Sequence, residues 1–170
     1  MAHAVRTPRH GMSFVTIVTH GQRPIFEITR LADLFVDTLL HYREQGHYKV
    51  HAYVVMPDHV HLLLTPQGIT LEQTVRLIKT GFNHRIDIKS PVWEDGLTGF
   101  TYQLDPSLPI WEEGFTGYSV ANIRDLEVVR AYVHQLPVRA HLTPAAEMYP
   151  HSSAYRQIPH AAPAESHVTH

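Results

Sequence analysis

The 170-residue sequence predicts an α+β domain, and three observations predict it. Alternating β-branched stretches are interleaved with stretches whose apolar residues recur at helical spacing. Two of the strand-like stretches are joined by only Met56, Pro57 and Asp58, a connection suited to an antiparallel hairpin. The resulting order is strand, helix, hairpin, helix, strand-like region, helix. Helices on one face of a mostly antiparallel sheet follow from that order, and β-α-β-β-α-β is the ferredoxin-like arrangement. Residues 1–155 are expected to form the domain and residues 156–170, rich in Pro, Ala and His, a disordered tail.

Each element has a local cause. "SFVTIVTH" (13–20) alternates and is β-branched, and Gly21 to Pro24 break it. In 29–45, Leu31, Leu34, Phe35, Thr38 and Leu39 mark one helical face, with Gly46 as the stop. Residues 48–55 and 59–65 are the hairpin strands. Thr70 and Gln73 have capping-box spacing at the head of a second helix, whose Leu71, Val75, Ile78 and Phe82 share a face. "VWEDGLTGF" (92–100) and "IWEEGFTGY" (110–118) match in residue type at every position. They are expected to be short strands or hairpin arms flanking the turn-like "DPSLP" (105–109). Asn122 or Asp125 can cap a third helix, which should stop near Leu136 because Pro137 disfavours helical geometry in the residue before it.

Composition narrows the function. With no cysteine, disulfides and thiolate metal sites are excluded, and a reducing, cytoplasmic setting is expected. No signal-peptide pattern and no membrane-length apolar run is present, so the protein reads as soluble, with no membrane partner. A formal charge of −2 gives no bulk basicity for nucleic acid, so any DNA surface must be a local patch.

The segment "HAYVVMPDHVHLLLTP" (51–66) carries a His-x-His pair. Fifteen histidines make about 1.3 such pairs by chance, so only its setting is informative. On a strand, His59 and His61 share one face while Val60, Leu62 and Leu64 share the other. With the apolar set facing the helices, the imidazoles occupy the open face. Neighbouring imidazoles on a rigid strand can hold one metal ion, or they can simply be half-exposed polar residues. A catalytic ion also needs a third ligand and open positions. In "VVRAYVHQLPVRAHL", Val128, Tyr132 and Gln135 fall on one stripe. A phenol, with a pKa ordinarily near 10, can act as a covalent nucleophile if its electrophile is activated.

Taken in order, "HAYVVMPDHVHLLLTP", "IWEEGF", "RAYVHQLPVRAHL" and "YPHSSAY" resemble the REP-associated tyrosine transposases, members of the single-tyrosine HUH transposase family. The resemblance spans residues 8–155. It implies a ferredoxin-like sheet carrying the metal-binding pair His59 and His61, with Tyr132 as nucleophile on a following helix. It also implies attack on a single-stranded DNA phosphate, leaving a 5′-phosphotyrosyl enzyme and a free 3′-hydroxyl. Family members usually carry an asparagine ligand four residues after the tyrosine, where this chain has Leu136. Either Gln135 supplies a carbonyl instead or the site is one ligand short. The glycine usual after "PVRA" is His141 here.

The implied cofactor is a divalent metal ion, Mg²⁺ or Mn²⁺, acting as Lewis acid and template. The implied partner is single-stranded or hairpin DNA, bound by a monomer or homodimer. Phosphate contacts are expected from Arg6, Arg9, Lys79, Arg85, Lys89 and Arg139, with Arg6 and Arg9 on an arm that reads the base of a hairpin. Trp93, Phe100, Trp111 and Tyr118 are available either for packing or for stacking on unpaired bases. Three activities fit: a strand-transferring nuclease, a hairpin-binding protein that has lost the chemistry, and a metal-dependent phosphoesterase that uses water.

Overall fold

A computed structural model describes residues 11–86, 92–93, 101–102 and 104–156. Arg6, Arg9, Lys89, Phe100 and residues 157–170 lie outside the described residues, so the expectations for an N-terminal arm and a tail fall there.

The architecture is α+β. Four strands form one antiparallel sheet: β1 (Met12–Val18), β2 (Tyr48–Val55), β3 (His59–Pro66) and β6 (Thr116–Val120), in the order β2-β3-β1-β6. This is the ferredoxin-like order, with β6 as the fourth strand. The short strands β4 (Val92–Trp93) and β5 (Thr101–Tyr102) pair with each other outside the main sheet. The two copies of the nine-residue repeat therefore part ways. The second supplies Trp111, bridged to Thr19, and most of β6. Between the copies, Asp105 Oδ1 accepts from both the backbone N–H and the hydroxyl of Ser107, closing the expected turn.

Alternation along the strands decides the packing. Val15 and Ile17 of β1 and Val60, Leu62 and Leu64 of β3 face α1 (Thr29–Glu44) and α2 (Leu71–Arg85), and all five are fully buried. Phe26, Phe35, Phe82 and Trp111 form an aromatic cluster there, with ring centres 5.4–5.8 Å apart. The capping box of α2 is formed: Gln73 N–H donates to Thr70 Oγ1 at 3.1 Å, and Thr70 N–H donates to Gln73 Oε1 at 2.8 Å.

The third helix differs from expectation in two ways. α3 (Ile123–Arg139), capped by Asn122, packs on the opposite face of the sheet, not beside α1 and α2. Its Leu126 and Val133 bury against Ala52, Val54, Leu63 and Val120, because the alternate residues of β2 and β3 also include apolar side chains that need cover. The helices therefore lie on both faces, and the histidine face is partly roofed. α3 also runs through Pro137 to Arg139. The proline costs one helical hydrogen bond. Its ring is buried, Ala140 N–H to Leu136 O (3.0 Å) continues the helical bonding beyond it, and Leu142 N–H to Pro137 O (2.9 Å) closes the helix.

The segment 149–155 lies along the outer edge of β2. Val55 N–H donates to His151 O (2.8 Å), Ser153 N–H to Tyr53 O (3.0 Å) and the Tyr149 hydroxyl to Val55 O (2.7 Å). His151 Nε2 and Asp33 Oδ1, 2.7 Å apart, tie the same segment to α1. Backbone groups that an edge strand would leave open are paired in this way. Among the described residues no helix is long and apolar enough to cross a membrane.

Candidate active site

The site lies on the sheet face that α3 partly covers. His59 opens β3 and His61 follows on the same side, their ring centres 4.7 Å apart and nearly perpendicular. Each ring is held at Nδ1. The Nδ1–H of His59 donates to Asp58 Oδ1 at 2.6 Å, and His61 Nδ1 is hydrogen-bonded to Thr16 Oγ1 at 2.9 Å. A ring that donates from Nδ1 presents Nε2 as its unprotonated nitrogen, the tautomer a metal ligand requires. Burial, then the neighbouring His59, pushes the pKa of His61 down to about 4, so its imidazole is neutral at neutral pH.

Phe14 is the centre of the arrangement. Its ring stacks on His61 at 5.3 Å and 11°, and meets the Tyr132 ring edge-on at 6.3 Å and 74°. Tyr132, on α3, keeps 43% of its surface exposed. The Arg139 guanidinium sits 5.5 Å from the centre of the Tyr132 ring. These residues are two helical turns apart, so this contact exists because α3 continues past Pro137. Histidine pair, bridging phenylalanine, exposed phenol and guanidinium thus converge within one chain.

Comparisons with known proteins place the chain in a family. The family model described as "Transposase IS200 like" matches residues 12–136, a span that begins at β1 and takes in both histidines and Tyr132. The chain belongs to the IS200-like transposase family. Among solved structures it is similar to a REP-associated tyrosine transposase bound to a REP hairpin, with TM-score 0.67 and 20% identity, covering 89% of this chain and 82% of that one. A protein assigned as a transposase in Deinococcus radiodurans R1 also aligns, at TM-score 0.48 and 19% identity, covering 79% of this chain and 98% of that one. No curated protein matches the sequence.

Within this IS200-like chain the residues singled out from sequence separate by face. His59, His61, Tyr132 and Arg139 come together. Gln135 instead lines a groove of about 660 Å³ between α3 and the C-terminal segment, with His134, Glu147, Tyr155 and Arg156. Leu136 is half buried and packs into the core of the site face. Among the described residues no three His, Cys, Asp or Glu side chains are grouped to hold a metal ion. Lys79 and Arg85 belong to α2, on the other face of the sheet. Lys79 Nζ donates to the carbonyls of Glu112 (2.9 Å) and Gly114 (2.6 Å), and burial lowers its pKa. It therefore holds the loop before β6, while Arg85 is exposed at the end of its helix.

Phe14, Thr16 and Asp58 were not singled out from sequence. The alternation of "SFVTIVT" places Phe14 and Thr16 on one side of β1, and only the register Thr16↔His61 reveals that this is the histidine side.

Proposed function

We propose that this transposase-family chain is a metal-dependent single-stranded DNA endonuclease and strand transferase. It would act on hairpin-forming DNA through a covalent 5′-phosphotyrosine at Tyr132. The observation that carries the reading is Phe14, whose one ring touches both a histidine of the pair and the phenol. It supports the reading because the histidine pair and the phenol lie on either side of that ring, one on a strand and the other on a helix packed against the sheet. The similar solved structure, which is bound to a REP hairpin, supports the choice of DNA.

The donor set fits a divalent cation that keeps water ligands, Mg²⁺ or Mn²⁺. The Nε2 atoms of His59 and His61 would hold it, leaving the remaining positions to water and phosphate oxygens. When bound, it supplies Lewis acidity at a phosphate oxygen and fixes where that oxygen sits. The protein's own part is positional. Asp58 and Thr16 fix the imidazoles, Phe14 sets the spacing between His61 and Tyr132, and Arg139 adds positive charge beside the phenol. The Tyr132 oxygen attacks phosphorus as the bond to the 3′-oxygen breaks. The phenol proton is lost to solvent and the departing oxygen gains one, leaving a 3′-hydroxyl and an O–P bond to tyrosine that is available for rejoining.

The half-buried Leu136 favours a second reading, a hairpin-DNA-binding protein whose chemistry is impaired for want of a third ligand. One experiment separates the two: labelled single-stranded hairpin DNA incubated with Mn²⁺ or Mg²⁺ and run on a denaturing gel. The nuclease reading expects a protein–DNA adduct that disappears with Tyr132→Phe and with chelator, and at least as much adduct from Leu136→Asn. Hairpin binding without any adduct, unaffected by His59→Ala, would establish the impaired protein instead. Cleavage that survives Tyr132→Phe would mean that water is the nucleophile.

A further inference from the structure

Among the described residues, the histidine face of the sheet is not fully roofed. α3 buries its apolar residues over β2, β3 and Val120 at the end of β6, while the rest of β6, beyond β1, leaves Thr116, Tyr118 and Ser119 exposed. Register fixes the side on which Tyr118 stands. It pairs with Phe14 across β1 and β6, and directly opposed residues of an antiparallel pair project to the same face. Two neighbours on β6 agree. Val120, two residues on, is buried in the core of the histidine face. Gly117, one residue back, turns its open side to Phe115 and Leu71, which belong to the other face.

Tyr118 therefore stands in one row with the ring that touches His61 and Tyr132, one strand further out, with 62% of its surface exposed. Its hydroxyl has no hydrogen-bond partner among the described residues. Trp111 contrasts with it, being 6% exposed in the aromatic cluster and donating its Nε1–H to Asn83 Oδ1 at 3.0 Å. The second copy of the repeat thus places one aromatic residue in the core and leaves another facing solvent beside the site.

We propose that Tyr118 is a stacking platform for the unpaired nucleobase next to the phosphate that Tyr132 attacks. This rests on the DNA-cleaving reading above and adds a binding residue to it. An exposed aromatic on a rigid strand gives a stacking surface that accepts any base, since every base has a π-face. The contact orders the single strand over the site without reading its sequence. Among the described residues α3 closes the β2 side of the site and leaves Tyr118 open, so the β6 side is the direction from which an unpaired strand reaches the phenol.

The test uses the full chain with the Tyr132→Phe substitution and chelator, so that affinity is read without cleavage, on hairpin DNA with single-stranded flanks. Tyr118→Ala should weaken binding about tenfold and Tyr118→Phe should hold it within about twofold. A hairpin without flanks should bind the Tyr118→Ala protein and its parent equally. One abasic flank position should cost the parent about tenfold and the Tyr118→Ala protein nothing further, the pattern of two groups that act through one contact. Equal affinity of Tyr118→Ala for flanked DNA, or an abasic penalty that persists in it, overturns the platform even if wild-type protein forms its adduct. Failure of wild-type protein to form an adduct, with the Tyr118 dependence intact, overturns the cleavage chemistry and leaves the platform. Absence of any DNA binding overturns both.

Discussion

On one face of the sheet, Val15, Ile17, Val60, Leu62 and Leu64 meet α1 and α2 over a cluster of four aromatic rings. On the other, alternate residues of the same two strands are Phe14, Thr16, His59, His61 and Leu63. The backbone is shared, so the stiffness gained by burying the first set is transmitted to the second, whose polar members remain half exposed. A site can then tolerate solvent and weak packing without losing its geometry, because its anchor lies one pleat away. Removing a buried ring from the first face should cost stability, and a change on the second should cost chemistry.

The largest effect expected is on the anchoring face. Phe35 is fully buried and touches Phe26, Phe82 and Trp111. Phe35→Ala should destabilise the fold by about 3–5 kcal/mol, read from the denaturant midpoint, and any adduct should fall only in proportion to the folded fraction. A cost below about 1 kcal/mol would erase the contrast between the faces. On the site face, Phe14→Leu keeps an apolar residue of similar reach and should cost less than about 1.5 kcal/mol. It removes the ring between His61 and Tyr132, however, so the single-turnover rate of adduct formation should drop by roughly ten- to a hundredfold while hairpin affinity holds. An unchanged rate would show that the two groups are spaced by something other than Phe14.

Where the sequence was readable, the signal was local. The capping box at Thr70 and Gln73, the stop at Gly46, which takes φ 85°, and the Met56–Asp58 turn need only neighbours, and each formed as expected. His59 and His61 sharing a face also follows from strand period alone. Which face carries α3 depends on register and on pairing between strands distant in sequence, and alternation does not encode these. The same blindness hid Phe14 and Thr16, and it hid the two loop carbonyls to which Lys79 donates. Gln135 shows a different limit. It was expected to offer a carbonyl because it precedes Leu136, and although it shares a helical stripe with Tyr132 it lines the groove beside the C-terminal segment.

The smallest effect expected is at the end of α3. His141 sits at φ 59°, a left-handed conformation that costs a residue with a Cβ roughly 1–2 kcal/mol. The turn is nevertheless held, by His141 N–H to Val138 O at 3.0 Å and Leu142 N–H to Pro137 O at 2.9 Å, the pattern in which helices most often end on glycine. Glycine at this position, as the family resemblance would have it, relieves the strain but gives back about 0.5–1 kcal/mol in unfolded-chain entropy. His141→Gly should therefore stabilise the protein by a net amount of about 0.5–1 kcal/mol, visible as a small rise in thermal midpoint. The position closes the helix that carries Tyr132 and Arg139 but touches neither ring contact, so adduct formation should be unchanged. A loss of stability would mean that the imidazole makes a compensating contact worth more than the backbone strain, and a change in rate would tie the end of α3 to the geometry of the phenol.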